Sequence, residues 1–463
     1  MSQLKQSNLT KGPILNKLLF IAVPIMGTQL FQMMYNLIDM FLLGRVSSDA
    51  VAATGTAGMY LWLAQAFLLF GRMGAEIGVS QSLGSEEVSA AKKYSQNSIF
   101  IALVSGVLFT AILMIFVHPL IGFFQIQEAH VAQAAVDYLL IVALSIPLSF
   151  ISNAINGAFN GAGNSKLPFY INAFGMTFNV ILSPLFIFTF DLGIHGAAMA
   201  TVIAQGIVCA SFLLAIKYHK SRPFEDFNYK DILNYDKPAI KQIFSWSLPI
   251  SIESLCFTFL SMIIARYISL YGAGAIAAQR IGSQVESLSW LIGGGFASAL
   301  TAFMGQNFGA GKWDRIHKGF KISTVIMCVW GVFVSLLLFF GAEQLFALFI
   351  NEADIIALGV DYLRIFALAQ FFTCIEALAA GAFRGVGKTQ PPSIVSITFN
   401  ALRIPAAILL SQTALGLNGI WWGMALGNIM RGLVLIIWYM AYSRKQKQTE
   451  ECPQKLAQRT SIV

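Results

Sequence analysis

Charge is what this sequence has least of: Asp, Glu, Lys and Arg make up 11% of its 463 residues, against about 25% in an average soluble domain. With 57% apolar residues and a mean hydropathy of +0.69, that scarcity excludes a soluble enzyme. Cysteine is sparse as well. Cys209, Cys256, Cys328, Cys374 and Cys452 lie far apart with no Cys-x-x-Cys pair, so neither a disulfide framework nor a zinc site is suggested. No pair of histidines stands at metal-ligand spacing. Long polar stretches are missing too, the longest running from 217 to 241, which leaves no room for a soluble domain. Gly387-Lys388-Thr389 resembles the tail of a phosphate loop but has no strand before it, so nucleotide binding is not expected. The net charge of +8 is concentrated in short segments, a pattern of membrane topology and not of a nucleic-acid footprint.

What is present is a series of apolar stretches, each about 20 residues, the length of helix that crosses a hydrocarbon core of ~30 Å. Twelve fall near 18–43, 50–71, 96–117, 131–152, 167–190, 196–216, 243–270, 276–302, 321–341, 356–380, 391–412 and 417–441. Long unbroken runs exclude a membrane β-barrel, whose strands alternate over about 10 residues. The fold class is an all-α polytopic membrane protein. Lys5, Lys11 and Lys17 ahead of the first run mimic a signal peptide, but the run is long, contains Pro24 and lacks a small-residue cleavage site, so it reads as a retained span. Positive charge sorts to one side: 23 of the 30 lysines and arginines lie in the terminal segments and alternate loops, against Arg45 alone in the opposite loops. By the positive-inside rule both termini are cytoplasmic, which requires an even number of spans and fits an inner-membrane protein.

The two halves repeat each other. Ala22-Val23-Pro24-Ile25 matches Ser247-Leu248-Pro249-Ile250, and Ser80-Gln81-Ser82-Leu83-Gly84 matches Gly305-Gln306-Asn307-Phe308-Gly309, both at an offset of 225. Val136-Asp137-Tyr138-Leu139 matches Val360-Asp361-Tyr362-Leu363, and the segment from Gly157 to Gly163 matches that from Gly381 to Gly387, at 224. Six spans per repeat gives the halves the same orientation, hence two lobes about an axis along the membrane normal, the usual frame for alternating access. The expected division is an N-lobe over 1–216 with helices 1–6, a cytoplasmic linker over 217–241, and a C-lobe over 242–463 with helices 7–12 and a basic tail.

These blocks, with Leu248-Pro249, the run from Gly305 to Gly311, the loop from Gly381 to Lys388 and Arg403-Ile404-Pro405, resemble the multidrug and toxic compound extrusion (MATE) family of secondary transporters. The resemblance spans residues 14 to 441. It implies two six-helix lobes and export of amphipathic organic cations in exchange for inward-flowing H⁺ or Na⁺, with no covalent chemistry and no cofactor beyond the coupling ion.

An ionisable group at mid-bilayer costs roughly 3 kcal/mol even on lenient scales, so each is a candidate for function. Gln29, Gln32, Asn36 and Asp39 recur at helical spacing along one face of span 1. The family resemblance makes Asp39 the coupling-ion carboxylate, with Asn36 on its face and Asn179 and Thr201 as companions. Where some members carry a second acid this chain has Ser183, which favours H⁺ over Na⁺ in the N-lobe. In the C-lobe Glu253, Glu286 and Glu376 occupy helices that carry acids in the family. Gln279, Ser283, Glu286 and Trp290 share a face that suits an organic cation needing charge and a π-surface. The substrate group is therefore expected to be Glu253, Glu286, Glu376, Trp290, Gln279 and Ser283. Na⁺ has two possible places, at Asp39 or between Glu253 and Glu376. The competing reading is that the glutamates neutralise buried arginines such as Arg266 or Arg403, and Glu76 is expected to pair with Arg72 one turn away on its own helix. The expected partners are small cations and the lipid bilayer, not nucleic acid, and the unit is a monomer. A flippase for lipid-linked precursors or polysaccharides is the alternative function; it would need a cationic cavity for a pyrophosphate, which these acids would repel.

Overall fold

A computed structural model describes residues 8–126, 128–218, 223–225, 227–350 and 352–460, with the side chains of Asn36, Ser48, Leu288 and 448–460 outside the description. Its α-helices are α1 (Ile14–Val46), α2 (Ser48–Gly84), α3 (Val88–Ile115), α4 (Val117–Gly122), α5 (Ala129–Ala143), α6 (Ser145–Gly161), α7 (Lys166–Pro184), α8 (Gly193–Tyr218), α9 (Lys237–Ser269), α10 (Ala273–Gly309), α11 (Trp313–Phe340), α12 (Ala342–Ala347), α13 (Ala353–Gly385), α14 (Gln390–Ser411) and α15 (Leu417–Thr460). A π-turn, Leu185–Thr189, extends α7, and a short 3-10 turn, Tyr229–Leu233, precedes α9. Eleven helices are long and apolar enough to cross a membrane, and α5 with α6 makes a twelfth span bent by 41°.

Helix boundaries repeat as the sequence does. Adding 225 to the bounds of α2, α3 and α4 gives those of α10, α11 and α12, and adding 224 to 129–161, the extent of α5 and α6, gives α13. Even the turns agree. Gly163 and Gly387 both have φ of +77°, and in each case the next amide (Asn164, Lys388) closes the helix end on a carbonyl five residues back (Phe159, Phe383) at 2.9 Å. The expected linker is shorter than 217–241, since α8 runs to Tyr218 and α9 starts at Lys237, where Asp236 accepts a hydrogen bond from the Ala239 amide as its N-cap.

Alternation of span direction puts the starts of α1, α3, α7, α9, α11 and α14 at the Lys/Arg-rich end. At this basic end the lobes exchange their first helices. Leu18, Ile21, Ala22 and Ile25 of α1 pack into a core with Phe296, Ala299, Leu300 and Phe303 of α10. Reciprocally, the α9 rings Phe244 and Trp246 lie tilted against Phe70 and Tyr94 (centroids 5.3 and 5.5 Å apart), and the Ser247 hydroxyl donates to the Phe70 carbonyl at 2.9 Å.

Lipid is as apolar as a leucine core, so lobe closure here rests on close packing and interhelical hydrogen bonds. Both are found where α2 meets α10. A Cβ on Gly84 would collide with the Gln306 carbonyl, and one on Gly309 with that of Gln81. Gln81 Nε2 donates to the Gly385 carbonyl and Gln306 Nε2 to that of Gly161, each at 2.9 Å. These two bonds are related by the repeat. The interlobe hydrogen bonds and ring contacts found among the described residues all lie in this basic half of the molecule, so the lobes are sealed at the basic end.

Candidate coupling and substrate sites

Asp39 lies about two turns before the end of α1, and its Oδ1 is buried with no hydrogen-bond partner among the described residues. One turn earlier the Tyr35 hydroxyl stands 3.3 Å from Thr201 Oγ1 of α8 and also reaches Asn179 of α7. Tyr35 and Tyr138 of α5 are both close enough to feel the Asp39 charge. Ser183 Oγ donates to Asn179 Oδ1 at 2.9 Å, one helical turn along α7. The structure therefore brings Asn179 and Thr201 to the Tyr35 hydroxyl, with Asp39 within electrostatic reach of it. The side chain of Asn36 lies outside the described residues. No Lys or Arg pairs with Asp39 among the described residues; Arg45, the nearest cation in sequence, lies against the Phe41 ring at 4.8 Å.

The C-lobe is built on the opposite principle. Glu253 of α9 accepts from Ser393 Oγ at 2.9 Å and faces Arg384 Nη2 of α13 at 3.8 Å. Glu376 of α13 is 3.4 Å from Arg431 of α15. Glu286 of α10 accepts from the Tyr362 hydroxyl at 3.0 Å. Arg431 also holds Asn428 and Asn400, at 2.6 and 3.5 Å, and Arg403 donates to Ser261 at 2.8 Å with its guanidinium 5.2 Å over the Phe257 ring. A buried carboxylate needs a cation or several donors beside it, and here two of the three glutamates have an arginine. Those arginines are Arg384 and Arg431; of the two expected, Arg403 acts on Glu286 from beyond ion-pair distance and Arg266 pairs with none of the three among the described residues.

A MatE family profile matches residues 24–185 and 249–409, one block per lobe and well over half the chain. The chain belongs to the MATE family of membrane transporters. It is 28% identical over 436 residues to a probable multidrug resistance protein, NorM, of Thermotoga maritima, spanning 92% of each chain. It is 25% identical over 449 residues to the probable multidrug resistance protein YoeA of Bacillus subtilis, spanning 95% and 96%. Among solved structures, a MOP superfamily transporter from Pyrococcus furiosus, described by a binding pocket of reverse polarity, superposes with a TM-score of 0.90 at 19% identity, over 96% of this chain and all of that one.

Within this MATE fold the face from Gln279 to Trp290 divides. Gln279 accepts from Trp421 Nε1 at 2.9 Å and Glu286 turns to Tyr362, so both point into the lobe. Ser283 is exposed and bonds its own helix backbone, at Arg280, while Trp290 is 61% exposed. Small angular offsets along α10 decide this: at 100° per residue, positions 283 and 290 lie up to about 60° around the helix from 279 and 286. Tyr35 and Tyr138 were not expected as members of the N-lobe site. Tyr35 precedes Asp39 by one turn and could have been found from the same helical spacing.

Glu76 corrects its expectation. It is completely buried, and its Oε1 accepts a 2.6 Å hydrogen bond from Ser298 of α10, across the boundary between lobes. Arg72, its neighbour on α2, remains within electrostatic reach but forms no ion pair with it at bonding distance, and Arg384 acts on it from the other lobe.

Proposed function

We propose that this MATE transporter exports amphipathic organic cations from the cytoplasm in exchange for H⁺, by rocking its lobes between the state seen here, closed at the basic end, and its opposite. The carrying observation is the contrast between lobes: Asp39 is a half-buried carboxylate with one buried, unfilled oxygen and no cation paired with it among the described residues, whereas Glu253 and Glu376 each already have an arginine. A proton or a small ion brings no apolar or aromatic contacts with which to displace a guanidinium, so the coupling ion is assigned to the lobe where no fixed cation competes, the N-lobe. Ser183 occupies one lone pair of Asn179 Oδ1, removing part of what a Na⁺ would coordinate and favouring a proton over Na⁺ at this site. A proton neutralises Asp39 and needs no coordination shell.

On this reading Asp39, Asn36, Asn179 and Thr201 serve the coupling ion, with Tyr35 between them. The substrate cation is received by the C-lobe carboxylates Glu253, Glu286 and Glu376, displacing the resident guanidinium groups, with Trp290 offering a π-face and Gln279 and Ser283 shaping α10 behind it. A carboxylate attracts cations of many shapes because Coulomb attraction has no fixed hydrogen-bond geometry, and this supports a broad substrate range. The chain works as a monomer in the inner membrane with both termini in the cytoplasm.

Everted vesicles carrying the chain test this. An imposed H⁺ gradient should drive ethidium uptake, and Asp39→Asn should reduce it to the level of empty vesicles while the protein remains in the membrane. Wild-type uptake by Asp39→Asn removes Asp39 from the mechanism, and uptake that follows Na⁺ but not H⁺ reverses the choice of ion.

A further inference from the structure

Arg384 stands at a junction. Its Nη2 lies 3.8 Å from Glu253, its charge acts on Glu376 about two turns earlier on α13, and it also acts on Glu76, which belongs to the opposite lobe. Its Nε is buried without a hydrogen-bond partner, as are Glu76 Oε2 and Arg72 Nε. The cross-lobe cluster is therefore not locked into full pairing. Nothing in the repeat duplicates it: the counterparts of Glu76 and Arg384 at offsets 225 and 224 are Thr301 and Asn160. Thr301 bonds only carbonyls of its own lobe, and Asn160 bonds Asn156 on its own helix. Charge facing charge across the boundary is thus a feature of one half of the seal and not of its repeat-related counterpart.

We propose that Arg384 is a positioning residue that links occupancy of the C-lobe carboxylates to closure of the basic end, by dividing its charge between Glu253 and Glu376 on one side and Glu76 on the other. This deepens the export reading and rests on it. When the C-lobe acids are empty, their negative charge holds Arg384. When an organic cation settles on Glu253 and Glu376, it neutralises them and repels the guanidinium, whose remaining nearby anion is Glu76. The attraction across the boundary adds to the Ser298 bond and draws α2 onto α10 and α13. Substrate loading then closes the basic end beneath the substrate, the order that export requires. A ligand can shift a two-state equilibrium only through a difference in its interactions with the two states, and this arrangement supplies that difference.

Spin labels on Ser89→Cys and Asp314→Cys read the seal directly. Both residues are exposed in the first turns of α3 and α11, in opposite lobes beside the basic end, and the five native cysteines are replaced by alanine. With the protein in lipid, Ser298→Ala and Glu76→Gln are expected to raise the long-distance population several-fold without substrate. Tetraphenylphosphonium should shift the parent toward the short distance. That shift should vanish in Arg384→Gln and return in part in Arg384→Lys, whereas a merely structural arginine would change the resting distances and leave the response to the cation intact. If Arg384→Gln responds to the cation as the parent does, the link is overturned; an unaltered resting distribution in Glu76→Gln overturns the role given to Glu76. A parent that binds tetraphenylphosphonium without shifting overturns the link alone, and a parent that binds no cation overturns the export reading beneath it.

Discussion

Glu86 and Gly311 hold the same place in the two repeats, the turn after α2 and the turn after α10, and both have φ near +65°. The turn requires that conformation, because the amide one residue further on bonds back to the helix in each case, Glu87 to Ser82 at 2.9 Å and Lys312 to Asn307 at 2.8 Å. An L-residue there carries a strain of roughly 1–2 kcal/mol that glycine avoids. Glu86→Gly is therefore expected to stabilise the N-lobe by about 1 kcal/mol after the entropy lost by the added glycine, seen as a higher midpoint of thermal unfolding in detergent; a lower midpoint would mean that the Glu86 side chain contributes more than its backbone costs. Residues differ in how far a lone sequence betrays them. Asp39 stands out because a carboxylate amid apolar residues on a polar helical stripe has few structural explanations. Glu76 was open to a local explanation, since Arg72 is one turn away, and its true partner Ser298 lies 222 positions along the chain. No periodicity connects residues at that distance.

At the scale of elements the spans were legible almost to the helix, since hydropathy and the offset of 225 locate them independently. The bend in the fourth span was not. Expected as one run over 131–152, it is two helices meeting at 41°, whereas its counterpart α13 is continuous through the equivalent residues. The cause is Pro147, for which the second repeat has Phe371. Proline lacks the N–H that would bond the Ala143 carbonyl, and its ring crowds that turn. The Thr110 hydroxyl of α3 supplies the missing donor to Ala143 at 3.0 Å. This makes a double-mutant cycle decisive. Thr110→Val alone should cost about 1–3 kcal/mol, the penalty of a buried acceptor left without a donor. In a Pro147→Ala background the restored amide takes over, and the same substitution should cost well under 1 kcal/mol. Additive thermal shifts in the cycle would mean that Thr110 does not compensate for Pro147.

For the whole molecule, the internal repeat promised two like lobes, and the structure adds how they meet. The block matching Ser80–Gly84 to Gly305–Gly309 turns out to be the seal itself, with small residues for close approach and a glutamine from each lobe reaching the last helical turn of the other. A sequence shows that the block repeats but not that its two copies touch, because contact depends on the angle between lobes. That near-symmetry carries a quantitative consequence. Gln81 and Gln306 make equivalent bonds of equal length to equivalent carbonyls, Gly385 and Gly161. One difference remains, as Gln306 Oε1 also accepts the Leu9 amide at 3.1 Å, pinning the segment before α1. Each bond is worth roughly 0.5–1.5 kcal/mol, so Gln81→Ala should raise the population open at the basic end about 2- to 12-fold, measured as an interlobe distance distribution with labels on the exposed first turns of α3 and α11. Gln306→Ala should open it further, because it also removes the bond to the Leu9 amide, one of the bonds that hold Leu9 to the C-lobe beside those its carbonyl accepts from Asn307 and Arg315. If Gln81→Ala opens the seal more than Gln306→Ala, the anchoring of Leu9 contributes nothing to closure, and the two halves of the seal are energetically unequal for a reason that the repeat does not contain.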